Sequence, residues 1–261
     1  MIRRELKVSG EPDCWVLFRQ AHHAVFAGLI AEGWQSPRFT PLEPANEVFA
    51  AINLHDDGWN RWDEQPQVDR LHGRPIAFNE MPLQDSLRIW QDSINGGRMH
   101  GPLQAFAIAG HFERLLLQFS SWRSEPSTEQ RAEQFLAFAE KTMAQCLFEW
   151  VAESAGNTPS IAQRAIQFVR LFDALSLWFL CAERSEPATF FTPDGPAVTF
   201  TPLMRQTIIV DPWPFTIERY PLSAVGTVIP VKHYRSSEEL RSEASHEIKF
   251  SWVLEPHRGW S

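Results

Sequence analysis

At Pro187 the hydrophobic pattern of this 261-residue chain changes period. Before it, apolar residues recur every three or four positions over long stretches. After it, Thr, Val, Phe and Pro dominate, and apolar positions alternate with polar ones. The first pattern sets one stripe of a helix against a core; the second sets one face of a strand there, so the chain has to build both. We expect a helical domain over residues 1–186 and a small β-rich region over 187–261 packed on it. The length is ample for one large core.

Residues 2–8 and 14–18 read as strands of an N-terminal hairpin, with the turn chemistry of Ser9-Gly10-Glu11-Pro12-Asp13 between them. Helices are expected at 19–33, 45–56, 83–94, 102–119, 127–153 and 159–182. Gly33 and Gly58 act as stops for the first two, and Asn95-Gly96-Gly97 for the third. Ser127-Thr128-Glu129-Gln130 reads as a cap. Gly28, inside the first helix, costs about 1 kcal/mol relative to alanine and points to close approach of another helix. Residues 60–82 read as a long surface loop. Further on, 197–200, 206–210, 227–231 and 246–254 read as strands and 236–244 as a short helix. Asp211-Pro212-Trp213-Pro214-Phe215 reads as a rigid aromatic turn that holds the β region on the helices.

Charge narrows the partners. The net charge is −8 and no block of Lys or Arg stands out, so nucleic acid and anionic membranes lack an electrostatic footing. The longest apolar run, 175–182, is too short to span a bilayer. Residues 1–7 lack the apolar centre of a secretory signal. Cys14, Cys146 and Cys181 are far apart with no Cys-x-x-Cys, which reads as thiols in a reducing cytosol. The expectation is a cytoplasmic protein that meets a small molecule, with its oligomeric state unread.

The densest chemistry is His55-Asp56-Asp57-Gly58-Trp59, at the end of the second helix. Three other helices carry metal-capable side chains: His22 and His23 after Gln20, His111, and Asp173. Asp173 is the least ordinary of them. Phe168, Val169, Leu171, Phe172, Leu175, Leu177 and Trp178 surround it in sequence, and a carboxylate there is costly to bury unless it is paired or binds a metal. Trp34, Trp59, Trp62 and Trp178 flank the candidates. Imidazole with carboxylate suits a divalent Fe, Mn, Zn, Ni or Co ion. Such an ion makes hydroxide available near neutral pH. No Gly-x-Ser-x-Gly elbow, Gly-rich phosphate loop or His-Glu-x-x-His is present.

The order His, His-Asp, His, Asp on successive helices resembles the HD-domain superfamily of metal-dependent phosphohydrolases. The words Gln-x-x-His-Ala, His-Asp-Asp-Gly-Trp, Asp-x-Leu-Ser and Asp-Pro-Trp-Pro-Phe resemble a functionally uncharacterised bacterial family over nearly the whole chain. The resemblance implies a mainly α fold, an HD-domain-like all-α bundle, with a small mixed β region that the N-terminal hairpin can join. It implies His23, His55, Asp56 and Asp173 as metal ligands, with His111 as a further ligand or a substrate-side base. Neighbouring residues on a helix point about 100° apart, so His22 cannot share the direction of His23. Asp56 or Asp57 would accept the proton of a water. Arg61 and Arg74 would meet phosphoryl oxygens, and Gln20 and Trp59 would support the ligands from behind. Two-metal members supply two histidines between the HD pair and the last aspartate. Here His100, at a helix start, is the only nearby candidate besides His111, which points to one metal. The implied activity is metal-dependent hydrolysis of a small phosphorylated compound. The alternatives are an HD-type non-haem iron oxygenase and a non-catalytic ligand-binding protein on the same scaffold.

Overall fold

A computed structural model describes residues 1–7, 13–118, 122, 126–204 and 206–257. The chain opens on β1 (Ile2–Leu6) and β2 (Cys14–Phe18). Then come α1 (Gln20–Gly33), α2 (Ala45–Leu54), a 3-10 turn (Asp57–Trp59) and α3 (Asn60–Glu64). A small hairpin, β3 (Val68–Asp69) and β4 (Arg74–Pro75), leads to α4 (Leu83–His100). The long helices α5 (Pro102–Gln118), α6 (Pro126–Glu153) and α7 (Pro159–Leu180) follow. The last part holds β5 (Ala188–Phe190), β6 (Val198–Met204), β7 (Thr207–Asp211), β8 (Tyr220–Pro230), α8 (Ser237–Ser242) and β9 (His246–Pro256).

Seven strands form one curled, half-barrel sheet in the order β1-β2-β8-β9-β7-β6-β5. It is mixed, because β7 pairs parallel with β9 while its other pairs are antiparallel. This corrects the expected mainly α, all-α bundle with a small β region: helices make up 51% of the described residues and the sheet is a large layer. Local pattern hid the sheet for two reasons. Pro221, Ser223 and Gly226 interrupt the alternation of β8, so only its last residues read as strand from sequence. The N-terminal hairpin is a full part of the sheet, with Cys14 opposite Pro230 and Leu17 opposite Thr227. Pairings between the two ends of a chain depend on context that no local window contains.

The helices depart from expectation in smaller ways. α4 runs through Asn95-Gly96-Gly97 to His100. A Cβ on Gly97 would lie 2.7 Å from Ile108 Cδ1, so this glycine serves the packing of α4 on α5 instead of stopping α4. α2 ends at Leu54, with His55 as its cap. Residues 60–82 hold α3 and the β3–β4 hairpin where a plain loop was expected. Phe119, and Ser9 to Pro12 of the first turn, lie outside the described residues.

α1 packs on α2 and α7, and α5 packs on α2, α4, α6 and α7. These helices approach closely where small residues allow it. A Cβ on Gly28 would lie 2.1 Å from Asn53 Oδ1 on α2, and one on Gly110 would lie 2.2 Å from Ile166 Cδ1 on α7. Sheet and helices share one core, in which Phe26 of α1, Phe179 of α7 and Trp252 of β9 meet ring to ring. The aromatic turn joins them at the edge: Gln35 and Ser36 donate their N–H groups to Pro214 O at 3.0 and 2.9 Å. Among the described residues, no helix is long and apolar enough to cross a membrane.

Candidate metal centre

Four neighbouring elements deliver the site. α1 carries His23, the end of α2 carries His55 and Asp56, α5 carries His111 and α7 carries Asp173. His23, His55, Asp56 and His111 are buried. The Asp173 side chain keeps 16% of its surface exposed, enough to face a ligand while closed in by the histidines.

His23, His55 and Asp173 converge, each offering a ligand atom within 4.8 Å of the others. His23 Nε2 lies 3.0 Å, and His55 Nε2 3.4 Å, from the same Asp173 Oδ1. First-row ions hold nitrogen and oxygen at about 2.0–2.2 Å, which puts neighbouring ligand atoms about 3–3.5 Å apart. Both nitrogen–oxygen separations therefore already have the spacing of a coordination shell. Backbone carbonyls fix the tautomers, as is usual for ligating imidazoles. His23 Nδ1 donates to Gln20 O at 2.8 Å and His55 Nδ1 donates to Ile52 O at 2.7 Å, each one turn back. His55 Nε2 is buried without a hydrogen-bond partner among the described residues. A buried nitrogen in that condition fits a metal ligand well.

Asp56 and His111 stand at the margins of this triad. Asp56 Oδ2 is 3.2 Å from His23 Nδ1 and 3.8 Å from His55 Nε2, so it lies chiefly against the back edge of the His23 ring. His111 Nε2 is 3.9 Å from the other carboxylate oxygen, Asp173 Oδ2, and its Nδ1 is buried without a partner among the described residues. Its ring stands 5.4 Å from that of His55, edge to face.

Charge follows this geometry. Burial by itself would lower the pKa of His23, but hydrogen bonds to Asp173 and Asp56 outweigh it and raise it to about 10. His55 is also raised: burial lowers it, and Asp56 and Asp173 overcome that. The same contacts run in reverse for Asp173. Burial pushes its carboxyl up, and the hydrogen bond from His23, with the His55 ring close by, holds it well below the usual carboxylate range. His111, farther from the carboxylates, is pushed down to about 4 by burial and stays neutral.

The other residues singled out from sequence fall elsewhere. Asp57 accepts from Asn60 Nδ2 at 3.4 Å within its own turn. Arg61 is exposed. Arg74 is held by Glu80 at 2.8 Å, the carboxylate that also holds Arg3. Gln20 supports His23 through its backbone carbonyl, and its side-chain Oε1 has no partner among the described residues. Trp59 is buried against Met81 and Ile89. His22 and His100 are exposed, so neither supplies a ligand.

The turn after His55 is seated on α4. Gly58 donates its N–H to Ser93 Oγ at 3.0 Å, and a Cβ there would lie 2.2 Å from Ile89 O. The glycine is required by close approach. Two basic residues escaped the sequence reading. Arg170, one turn before Asp173 on α7, is half-buried and makes no hydrogen bond or ion pair among the described residues. Burial and Arg114 lower its pKa while Asp173 raises it, so both groups act on it. The signal was available: Arg170 precedes Asp173 by three residues and Arg114 follows His111 by three, spacings that share a helix face.

Residues 1–230 match the model of a family described as a protein of unknown function (DUF3891), and the chain belongs to that family. No curated protein and no solved structure matches it.

Proposed function

We propose that this protein binds one divalent ion through His23, His55 and Asp173 and hydrolyses a small phosphorylated compound. The observation that carries this reading is the shared oxygen: two tautomer-fixed Nε2 atoms on one Asp173 oxygen at coordination spacing. When bound, the ion supplies acidity, bringing the pKa of a water close to neutral. The protein supplies the rest. His111 is neutral at pH 7 and accepts a proton. Asp56 holds the His23 ring from behind. Arg170, unpaired and beside Asp173, offers a guanidinium fork to phosphoryl oxygens. Arg61 and Arg74 do not take that role in this reading. We place the protein in the cytoplasm; Cys146 and Cys181 are free thiols, in keeping with a reducing compartment.

The test is metal analysis of the purified protein, followed by a phosphatase and phosphodiesterase panel with added Mn²⁺. Absence of any bound metal, together with no change of any property in His55→Ala, would overturn the reading.

A second reading has its own observation. Two histidines and one carboxylate form the ligand set used by non-haem iron(II) oxygenases. A cavity of about 310 Å³ reaches His23 and is walled by Phe18, Phe26, Leu29, Leu180 and Val225, an apolar setting. Iron in the purified protein, with oxygen uptake on an apolar substrate, would favour this reading. Zinc or manganese with phosphatase activity favours the first.

A further inference from the structure

A cavity of about 540 Å³ lies in the half-barrel and is not part of the metal centre. Its size is that of a small-molecule site. Trp178 and Phe179 from α7, and Phe250 and Trp252 from β9, form aromatic walls. The Phe250 and Trp252 rings are nearly parallel, at 19°.

Arg4 also lines this cavity, and it is out of place there. The two-residue period of β1 puts Arg4 on the inward face with Ile2 and Leu6, where an apolar residue is expected. It is only 6% exposed. Its guanidinium carbon lies 4.9 Å above the Phe250 ring, but its Nε is buried without a hydrogen-bond partner. Among the described residues, no carboxylate reaches ion-pair distance of it. A buried guanidinium in this state is costly unless something else pairs with it. The rim strengthens the case. Lys7, Arg184 and Lys249 line the cavity with Glu183 as the one acid among its described residues, in a chain of net charge −8.

We propose that the half-barrel cavity is a second ligand site, which takes a small anion carrying a flat apolar body, an aryl carboxylate or aryl phosphate. Arg4 holds the anionic group, and Trp178, Phe179, Phe250 and Trp252 hold the flat body. The rim cations draw the ligand in.

Calorimetric titration with 1-naphthoate, 1-naphthyl phosphate and neutral 1-naphthalenemethanol tests this. The two anions separate carboxylate from phosphate sources, and at least one should bind about tenfold or more tighter than the alcohol. Arg4→Met should remove that advantage. Because it deletes an unpaired buried charge, it should leave the unliganded protein at least as heat-stable as the wild type. Ala182→Trp, which fills the cavity from a half-buried position after α7, should abolish binding with an unchanged circular dichroism spectrum. Binding should persist in His55→Ala, since the metal centre is separate. The proposal is overturned by any of four results. These are equal binding of the alcohol and both anions, full anion binding in Ala182→Trp, a lowered melting temperature in Arg4→Met, or loss of binding in His55→Ala.

Discussion

His23 and His55 aim the same nitrogen at the same oxygen. Their Nε2 atoms lie 3.0 and 3.4 Å from Asp173 Oδ1, and their Nδ1 atoms both donate to the carbonyl three residues back. The two rings stand 5.1 Å apart and almost perpendicular, at 84°. Elements from separate parts of the chain thus repeat one device, and it aims both Nε2 atoms at the same carboxylate oxygen.

The first consequence is stoichiometry. Purified protein should carry about one divalent ion per chain, by elemental analysis, as expected for a three-residue ligand set. His55→Ala and Asp173→Asn should each lose it, while His22→Ala and His100→Ala should keep it because both side chains are exposed.

Proton release should accompany metal binding. In the metal-free site the pKa of His23 is raised to about 10, and that of His55 is raised as well. A proton on His23 therefore stabilises the metal-free fold fully below its ordinary value near 6.5, and this contribution fades as pH rises through about 10. An ion must displace that proton, so affinity should climb between pH 7 and 10. Titrations in buffers of different ionisation enthalpy would show the released protons. A pH-independent affinity would contradict the assignment.

Removing the carboxylate should also be felt without metal. Asp173→Asn breaks a buried charge pair and should lower metal-free stability by about 3 kcal/mol at neutral pH. Urea denaturation in the presence of a chelator measures this. At pH 10 the loss should shrink, because about half of the His23 rings have by then given up their proton.

Gly58→Ala alters no candidate ligand, yet it should weaken metal binding. Its new Cβ would lie 2.2 Å from Ile89 O, so the turn after His55 must lift off α4. We expect about 1–3 kcal/mol of destabilisation, the usual range for overpacking. Thermal unfolding and metal affinity, measured on the same preparation, check the two effects together.

Arg170 should matter to phosphoester turnover and Arg61 should not. Arg170→Gln should reduce kcat/KM by about tenfold or more, as for a lost charge-assisted hydrogen bond. Arg61→Gln should leave it within about twofold, because exposed substitutions away from a site change little. Equal effects of the two variants would remove Arg170 from the site.

Much of the helical part could be read from the sequence. The 3.6-residue period located α1, α2, α5, α6 and α7 to within a few residues, because each buries one continuous stripe. The odd carboxylate at Asp173 stood out locally, and Gly28 signalled the close approach of another helix, which is α2. α4 was cut short because Gly97 reads as a stop, whereas it admits Ile108. β8 was half missed because its polar and small positions are supported by neighbours on both sides, β2 and β9.

The sequence by itself determined which residues could ligate a metal and roughly which helices present them, since residue type and period are local properties. Only the tertiary structure decided that two imidazoles share one oxygen of Asp173, and that Asp56 lies chiefly behind His23. It alone left Arg170 half-buried one turn before Asp173, and paired Arg74 with Glu80. It also decided that strands from both ends of the chain close into a half-barrel around an unpaired Arg4. Each of these depends on distances between segments far apart in sequence, which packing sets and no local pattern encodes.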